Sequence, residues 1–560
     1  MFKKLFIILV MASSVYAGLS EDIRRLGDEY IALKSRFYPV WATNMGIHDY
    51  DSLLTNYSGD NVFNYRNEIL EIKLKLQELD TTRLEIDDYI DYQLLLSDID
   101  YDNFILGKYP YYEHSPALHV EEALNSIYYL MINQSMSFKQ KAPFIMARLK
   151  AIPTFLHRGF SYLYQPVDIF YDTAIETATE GETLIDEVTQ ELLKIYPERS
   201  KAIEQLNVVV KKSLKNYVRY CESKKEYASG TYAIGKDNLN FLLKRVHFID
   251  IDSDSLKKIG RYWYNVANSA MDSLQRIIDS KPKGKIKKHA PADFSKEDIM
   301  EYYQWEINET ADFFKEKDVV TIPEDIGSCL PVEMPQFMRA THRGIAYQPP
   351  APFDINQTGY FYVRPIPPLD SILKDEYYDY IQNRGFKGSV VHEAYPGHHL
   401  QLSLANRHPS RIRRLQQDMV MAEGWALYCE QMATEQGLFD EDDIDRRWYA
   451  VYGGIRFRAI RVIVDCSLAD GTMTPDSALV FMNNMLGENT DYFTAEIRRY
   501  CANPTTALCY LTGKLIILDM LNKARRIESN SFSLRRFHDR LLAEGTISPN
   551  LIALKLGYKE

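Results

Sequence analysis

The stretch GSVVHEAYPGHHLQLSL, residues 388–404, places His392, Glu393, His398 and His399 within eight positions. Two imidazoles and a carboxylate are the donor types of a catalytic zinc site, familiar as H-E-x-x-H on one helical face with the glutamate as general base. Here the second histidine comes two residues late. On an unbroken helix His392 and His398 would be rotated by roughly 240° and displaced by about 9 Å, while His399 would lie two turns along, roughly 10 Å away. A regular helix therefore excludes a shared metal. Pro396 has no N–H for the helical ladder and Gly397 can take backbone angles closed to other residues. Together they can eject two residues as a bulge and return His398 to the place of the second histidine, the kind of interruption found at functional sites. The competing reading ends one helix at Tyr395 and starts another near Gly397, with the histidines as caps or surface groups. His399 is the alternative ligand.

A third ligand decides between these readings. In MVMAEGWALYCEQM, residues 419–432, apolar residues cover every face of a helix, so the segment is predicted to be buried all round. Glu423 stands inside that block, and a buried carboxylate without a partner costs several kcal/mol. Its partner is either a cation, with Arg411, Arg414, Arg456 and Arg461 available, or a metal. Glu423 follows His398 by 25 residues, a separation that suits a helix, a turn and an antiparallel helix. His392, His398 and Glu423 would give one Zn2+ per chain three protein ligands and an open position. Glu393 would then take the proton of the attacking water and pass it to a leaving amine, which is the chemistry of amide hydrolysis.

The elements that must position these groups are mostly helical. Apolar residues recur at helical intervals in LSEDIRRLGDEYIALKSRFY, with Ser20 as a cap, and again through FNYRNEILEIKLKLQELD, IDDYIDYQLLLSDIDYDNFIL and later segments of the first half. The stretch SKPKGKIKKHAPADFS, 280–295, lacks periodicity and marks a possible lobe boundary. From about 320 to 370, dense proline and alternating aromatic residues predict a small extended or β segment that could wall a cleft beside the histidines. The expectation is a mostly α, large helical metallopeptidase-like fold, with two lobes around a cleft and residues 18–560 as one domain.

Composition narrows the partners. The net charge of −11 gives no global support for nucleic-acid binding, and 46% hydrophobic residues suffice for a sizeable core. The N-terminus MFKKLFIILVMASSVYAGLS has a short basic region, an apolar run and a small-residue cleavage signal ending at Ala17. Residues 1–17 thus read as a signal peptide of a periplasmic or secreted protein, and Gly18 offers no cysteine for lipid, so no stable membrane anchor is expected. The six cysteines include no C-x-x-C pair and read as buried thiols.

HEAYPGHHLQ together with EGWALY resembles the bacterial family catalogued as domain of unknown function 885, which is grouped with the gluzincin metallopeptidases. NMGIHDYDSLLTNYS, GYFYVRP and RRYCANPTTALCYLTGKL are similar to that family's pattern as well. The resemblance implies a mostly helical fold, zinc on His392, His398 and Glu423, and Glu393 as catalytic base. In RAIRVIVDCSLADG, Arg461 and Asp465 match, while Ala469 stands where the family usually has histidine. Tyr510 and Gly513 match, while Thr506 replaces the usual glutamine.

Around this centre, Tyr510 is either a donor to the tetrahedral intermediate or a buried structural phenol, on a helix capped by Asn503 with Pro504 in its first turn. Arg461 and Asp465, four apart, suggest an intrahelical ion pair. Arg499 is a candidate binder of a peptide carboxylate, and His342 a candidate for the cleft. The leading expectation is an exported zinc peptidase acting on short peptides. The alternatives are a peptide-binding protein derived from a peptidase, motivated by Ala469 and Thr506, and a zinc hydrolase of a non-peptide amide.

Overall fold

The structure is a computed structural model and describes residues 2–281, 296–340, 344–363, 366–367, 374–382, 385–439 and 444–559, with side chains from Gly18 onward apart from those of Lys296, Glu297, Ala340, Lys374, Asp379 and Gln382. The helical periodicity of the first half is realised in α1 (Phe2–Phe37), α2 (Gly59–Gln77), α3 (Ile86–Asn103), α4 (Pro116–Ile132), α5 (Phe138–Tyr162), α6 (Asp168–Ile195), α7 (Ser200–Lys224), α8 (Ser253–Ser280) and α9 (Lys296–Glu316). Local chemistry sets several of their ends. Ser137 and Gln140 form a capping box that starts α5, and the Asp252 carboxylate accepts the Ser255 N–H to start α8. Ser20 is no cap: α1 is already helical from Phe2, and the Ser20 hydroxyl bonds Asp88 instead. The segment read as a signal peptide forms the first part of α1, and its side chains lie outside the described residues.

The proline-rich segment builds a three-stranded sheet of β1 (Cys329–Glu333), β2 (Ala346–Gln348) and β3 (Gly359–Val363) in the order β1-β3-β2. β1 pairs parallel to β3 with Pro331 opposite Phe361, and β2 pairs antiparallel with Tyr347 opposite Phe361. The second half then supplies α10 (Lys387–Glu393), α11 (His398–Ala405), α12 (Met419–Glu435), α13 (Ile444–Ala469), α14 (Thr494–Ala502) and α15 (Cys509–Glu528).

One apolar core runs through both halves, taking Tyr30 of α1, Ile127 of α4, Val188 of α6, Phe361 of β3, Trp425 of α12 and Ile517 of α15. Each such side chain contributes about 1.5–3 kcal/mol by leaving water. A smaller core gathers Leu256 and Ala267 of α8 with Val451, Ile455 and Ala459 of α13, which pack together along their length. The fold is mostly α, as expected. All six cysteines are buried and none is in a disulfide. Among the described residues no helix is long and apolar enough to cross a membrane. The lobe boundary read at 280–295 falls, from residue 282, outside the described residues, as does His342.

Candidate metal centre

α10 ends on His392 and Glu393, and α11 begins on His398. Across the gap the Gly397 N–H donates to the Val391 carbonyl at 3.1 Å and the Leu400 N–H to the Ala394 carbonyl at 3.4 Å. Each bond spans six residues where a regular helix spans four, so two residues have left the ladder. A side chain at Gly397 would place its Cβ 1.8 Å from the His392 carbonyl oxygen, which restricts this position to glycine. The Pro396 carbonyl accepts the indole N–H of Trp425 at 2.8 Å, pinning the interruption to α12. The helix does stop, as the competing reading had it, yet both histidines are buried and their rings meet edge to face at 4.9 Å.

Glu423 reaches the same point from α12. Its Oε2 lies 3.2 Å from His392 Nε2 and 3.4 Å from His398 Nε2. Glu393 Oε2 is 3.9 Å from His398 Nε2, and one donor atom each from His392, Glu393 and His398 falls within 4.8 Å of the others. None of the four arginines considered as partners bonds Glu423. Arg411 bonds Asp28, Arg414 the Pro352 carbonyl, Arg456 Asn268 and Arg461 Glu496. The group is buried without being sealed, since the Glu393 side chain keeps 14% of its surface exposed.

α15 packs closely on α12, because Gly424 meets Gly513 of α15 backbone to backbone. A Cβ on Gly513 would lie 1.9 Å from the Val420 carbonyl oxygen, and one on Gly424 would lie 2.5 Å from Gly513 Cα. The contact brings Tyr510 of α15 to the centre, its ring 6.4 Å from that of His392 and nearly parallel to it.

Glu430 was not singled out from the sequence. Its Oε1 lies 2.8 Å from His392 Nδ1 and 3.6 Å from an Arg458 Nη2. The signal was present: Glu430 follows Glu423 by seven residues, two helical turns, and so shares its face. Lys514 of α15 is buried close by, and its ammonium has no hydrogen-bond partner among the described residues. Burial pulls it down to about 8, against the field of Glu430.

These surroundings set the protonation states. Burial lowers His392, but Glu393, Glu423 and Glu430 outweigh it and carry it to about 10. Burial raises Glu423, and the two histidines overturn that and hold it well below the usual carboxylate range. In Glu393 burial wins over the histidines, helped by Glu423 and Glu430, and the carboxyl is raised. Tyr510 is pushed up to about 12 by burial and Glu423, against Arg499 and Arg461, and so keeps its proton.

His399 faces away from this group. The Gly327 carbonyl can only accept, so His399 Nε2 carries the hydrogen at 3.4 Å and Nδ1 accepts the Tyr347 hydroxyl at 2.7 Å. Burial lowers its pKa to about 4 and keeps it neutral. Tyr347 also lies nearly parallel to His398 at 6.5 Å, so the sheet walls the histidine pair.

Two local expectations are corrected. Arg461 and Asp465 do not pair: Arg461 Nη2 donates to Glu496 at 2.6 Å, while Asp465 accepts the backbone N–H groups of Thr505 at 3.0 Å and Leu508 at 2.9 Å. Those amides lie in a turn before α15 and demand an acceptor, which takes the carboxylate away from its neighbour on the helix. Asn503 accordingly does not start Tyr510's helix, and instead ends α14. Arg499 Nη2 shares Glu496 with Arg461, at 2.9 Å. Ala469 lies in the smaller core with its carbonyl on the Gly235 N–H, and Thr506 N–H bonds the Asn503 carbonyl.

Fold and centre together define a large, mostly helical protein with a buried histidine–glutamate group assembled from α10, α11 and α12. The chain belongs to the family described as "Bacterial protein of unknown function (DUF885)", which it matches over residues 39–556. No curated protein matches it. Two solved structures share the fold. One, described as "a putative lipoprotein of unknown function from Shewanella oneidensis", is 16% identical with a TM-score of 0.75, covering 95% of this chain and 99% of its own. The other, "the putative lipoprotein from Colwellia psychrerythraea", is 20% identical with a TM-score of 0.74, covering 96% and 99%.

Proposed function

We propose that the protein is an exported zinc peptidase related to the gluzincins, with His392, His398 and Glu423 as ligands and Glu393 as general base. One observation carries the reading: Glu423 Oε2 stands 3.2 and 3.4 Å from the Nε2 atoms of the two histidines. Ligands held at about 2.0–2.1 Å in a tetrahedron are separated by about 3.3–3.4 Å. The charges point the same way: with both imidazoles neutral, the three carboxylates around them outnumber the two cations beside Glu430, Arg458 and Lys514, and a divalent cation would offset the excess.

Bound there, Zn2+ would supply Lewis-acid polarisation of a carbonyl and acidification of water. Glu393 is near enough to that point to take a proton from the attacking water and deliver it to the departing amine, and its raised pKa suits both transfers. Tyr510 keeps its proton and can donate to the developing oxyanion. Glu430 accepts from His392 Nδ1, so that when a metal takes the place of the second imidazole proton, Nε2 is the nitrogen left to hold it. Export is supported by the leader-like residues 1–17 and by the lipoprotein descriptions of the two related structures.

The test is metal analysis joined to a peptide-library digest of the wild type and Glu393→Gln. About one zinc per chain, hydrolysis by the wild type, and its loss in the variant with zinc retained are expected. Unchanged hydrolysis in Glu393→Gln would remove the mechanism. A second reading is peptide binding without turnover, raised by the departures at Ala469 and Thr506 from the histidine and glutamine usual in the resemblance. Zinc-loaded wild type that binds peptides and cleaves none would select it.

A further inference from the structure

Beside Tyr510 two buried guanidiniums share one carboxylate. Arg461 and Arg499 both donate to a single carboxylate, Glu496, through one Nη2 each at 2.6 and 2.9 Å. Tyr500 donates its hydroxyl to the same oxygen at 2.7 Å. Those are the hydrogen bonds the two guanidiniums make among the described residues, and the Nε atoms of both are buried without a partner. A guanidinium offers five N–H donors in a planar fork matched to a carboxylate, so most of this donor capacity is unspent. Arg461 is 7% exposed, and a cation so desolvated gains far more from an anion than one at the surface does.

The position is as telling as the charge. The Arg461 guanidinium lies 5.0 Å from the Tyr510 ring centre, which lies 6.4 Å from that of His392. The two laid end to end bound the distance from histidine to arginine. One residue of chain spans about 3.8 Å, and a guanidinium–carboxylate contact with a metal–carbonyl contact at the other end takes up most of the rest.

We propose that Arg461 and Arg499 bind the terminal carboxylate of a peptide one residue beyond the scissile bond, so that the protein releases single residues from free carboxyl ends. The inference rests on the peptidase reading above. Glu496 holds the two forks in place, and the incoming carboxylate takes their free edges. Water attacks the carbonyl carbon of the last peptide bond, the C–N bond breaks, and the proton from water ends on the amine of the released amino acid. Arg499, whose side chain is 15% exposed, is the more accessible of the pair and the one to alter.

The experiment compares one hexapeptide as free acid and as C-terminal amide, with products identified by mass spectrometry. Amidation is expected to lower kcat/KM roughly 10- to 100-fold, the worth of charged hydrogen bonds, with release of the last residue alone from the acid. Arg499→Gln should bring the two peptides close together at unchanged zinc content. In parallel, calorimetry on zinc-loaded Glu393→Gln measures binding of both peptides without turnover, and tighter binding of the acid is expected. Equal cleavage of acid and amide at internal bonds would overturn the carboxylate site and leave the peptidase reading standing. Preference for the acid in binding, with no cleavage by the wild type, would uphold the site and overturn hydrolysis. Equal binding of the two peptides would overturn the site without reliance on any arginine variant.

Discussion

Glu430 stands 2.8 Å from Nδ1 of His392 while Glu423 stands 3.2 Å from its Nε2, so one imidazole is clamped by two carboxylates that lie two turns apart on the same face of α12. If His392 is a ligand, Glu430 orients it and raises its basicity. Glu430→Gln should weaken zinc binding about 10- to 100-fold, with the helical circular dichroism of wild type retained and a lower melting temperature for the zinc-loaded protein, in step with the lost affinity. Competition with a fluorescent chelator measures this. Affinity equal to wild type would show that Glu430 has no part in holding the metal.

Tyr510→Phe separates oxyanion stabilisation from scaffolding. The phenol keeps its proton and makes no hydrogen bond to the protein among the described residues, so its removal should leave folding and zinc content intact. A fall in kcat of roughly 10²- to 10³-fold with little change in KM is the expected result. Wild-type kcat would assign Tyr510 to packing.

Gly513→Ala tests the contact that seats α15 on α12. Its new methyl would lie 1.9 Å from the Val420 carbonyl oxygen, which is main chain and cannot swing aside. Overpacking of this kind costs about 1–3 kcal/mol, so a lower midpoint in urea is expected, with activity reduced as Tyr510 moves from the centre. An unchanged midpoint would mean that the helices separate freely there.

A pH-dependent contribution lies outside the centre. His48 is held by Asp354 at 3.3 Å and Asp51 at 2.8 Å, and these hydrogen bonds, Asp354's first, outweigh burial and raise it to about 9 from 6.5. A raised histidine stabilises fully below its unfolded pKa and loses that contribution as pH rises through the folded value. His48→Ala should therefore melt well below wild type at pH 6, with the gap narrowing between about 6.5 and 9. A gap constant with pH would show that the imidazolium adds nothing beyond its packing.

The sequence disclosed the helices because each long segment carries its own 3.6-residue periodicity, and it disclosed the sheet region because proline and aromatic residues refuse that period. It disclosed where the α10–α11 interruption falls because Pro396 and Gly397 are local. It did not disclose partners drawn from elsewhere in the chain. Arg461 and Asp465 have the spacing of an ion pair, yet each finds a better counterpart across the fold, in Glu496 and in the amides of Thr505 and Leu508. Glu430 went unmarked for the same reason: its meaning depends on His392, which arrives from a different helix.

The interruption between α10 and α11 also defines an engineering experiment in register. Excising Pro396 and Gly397 from the chain would leave His-Glu-Ala-Tyr-His, the regular spacing, and an uninterrupted helix could then carry both histidines on one face. What such a shortened chain would forfeit is the carbonyl that holds the Trp425 indole, a hydrogen bond made wholly inside the protein. The detour of two residues thus converts a stretch that would otherwise only present side chains into one that also ties its backbone to the neighbouring helix.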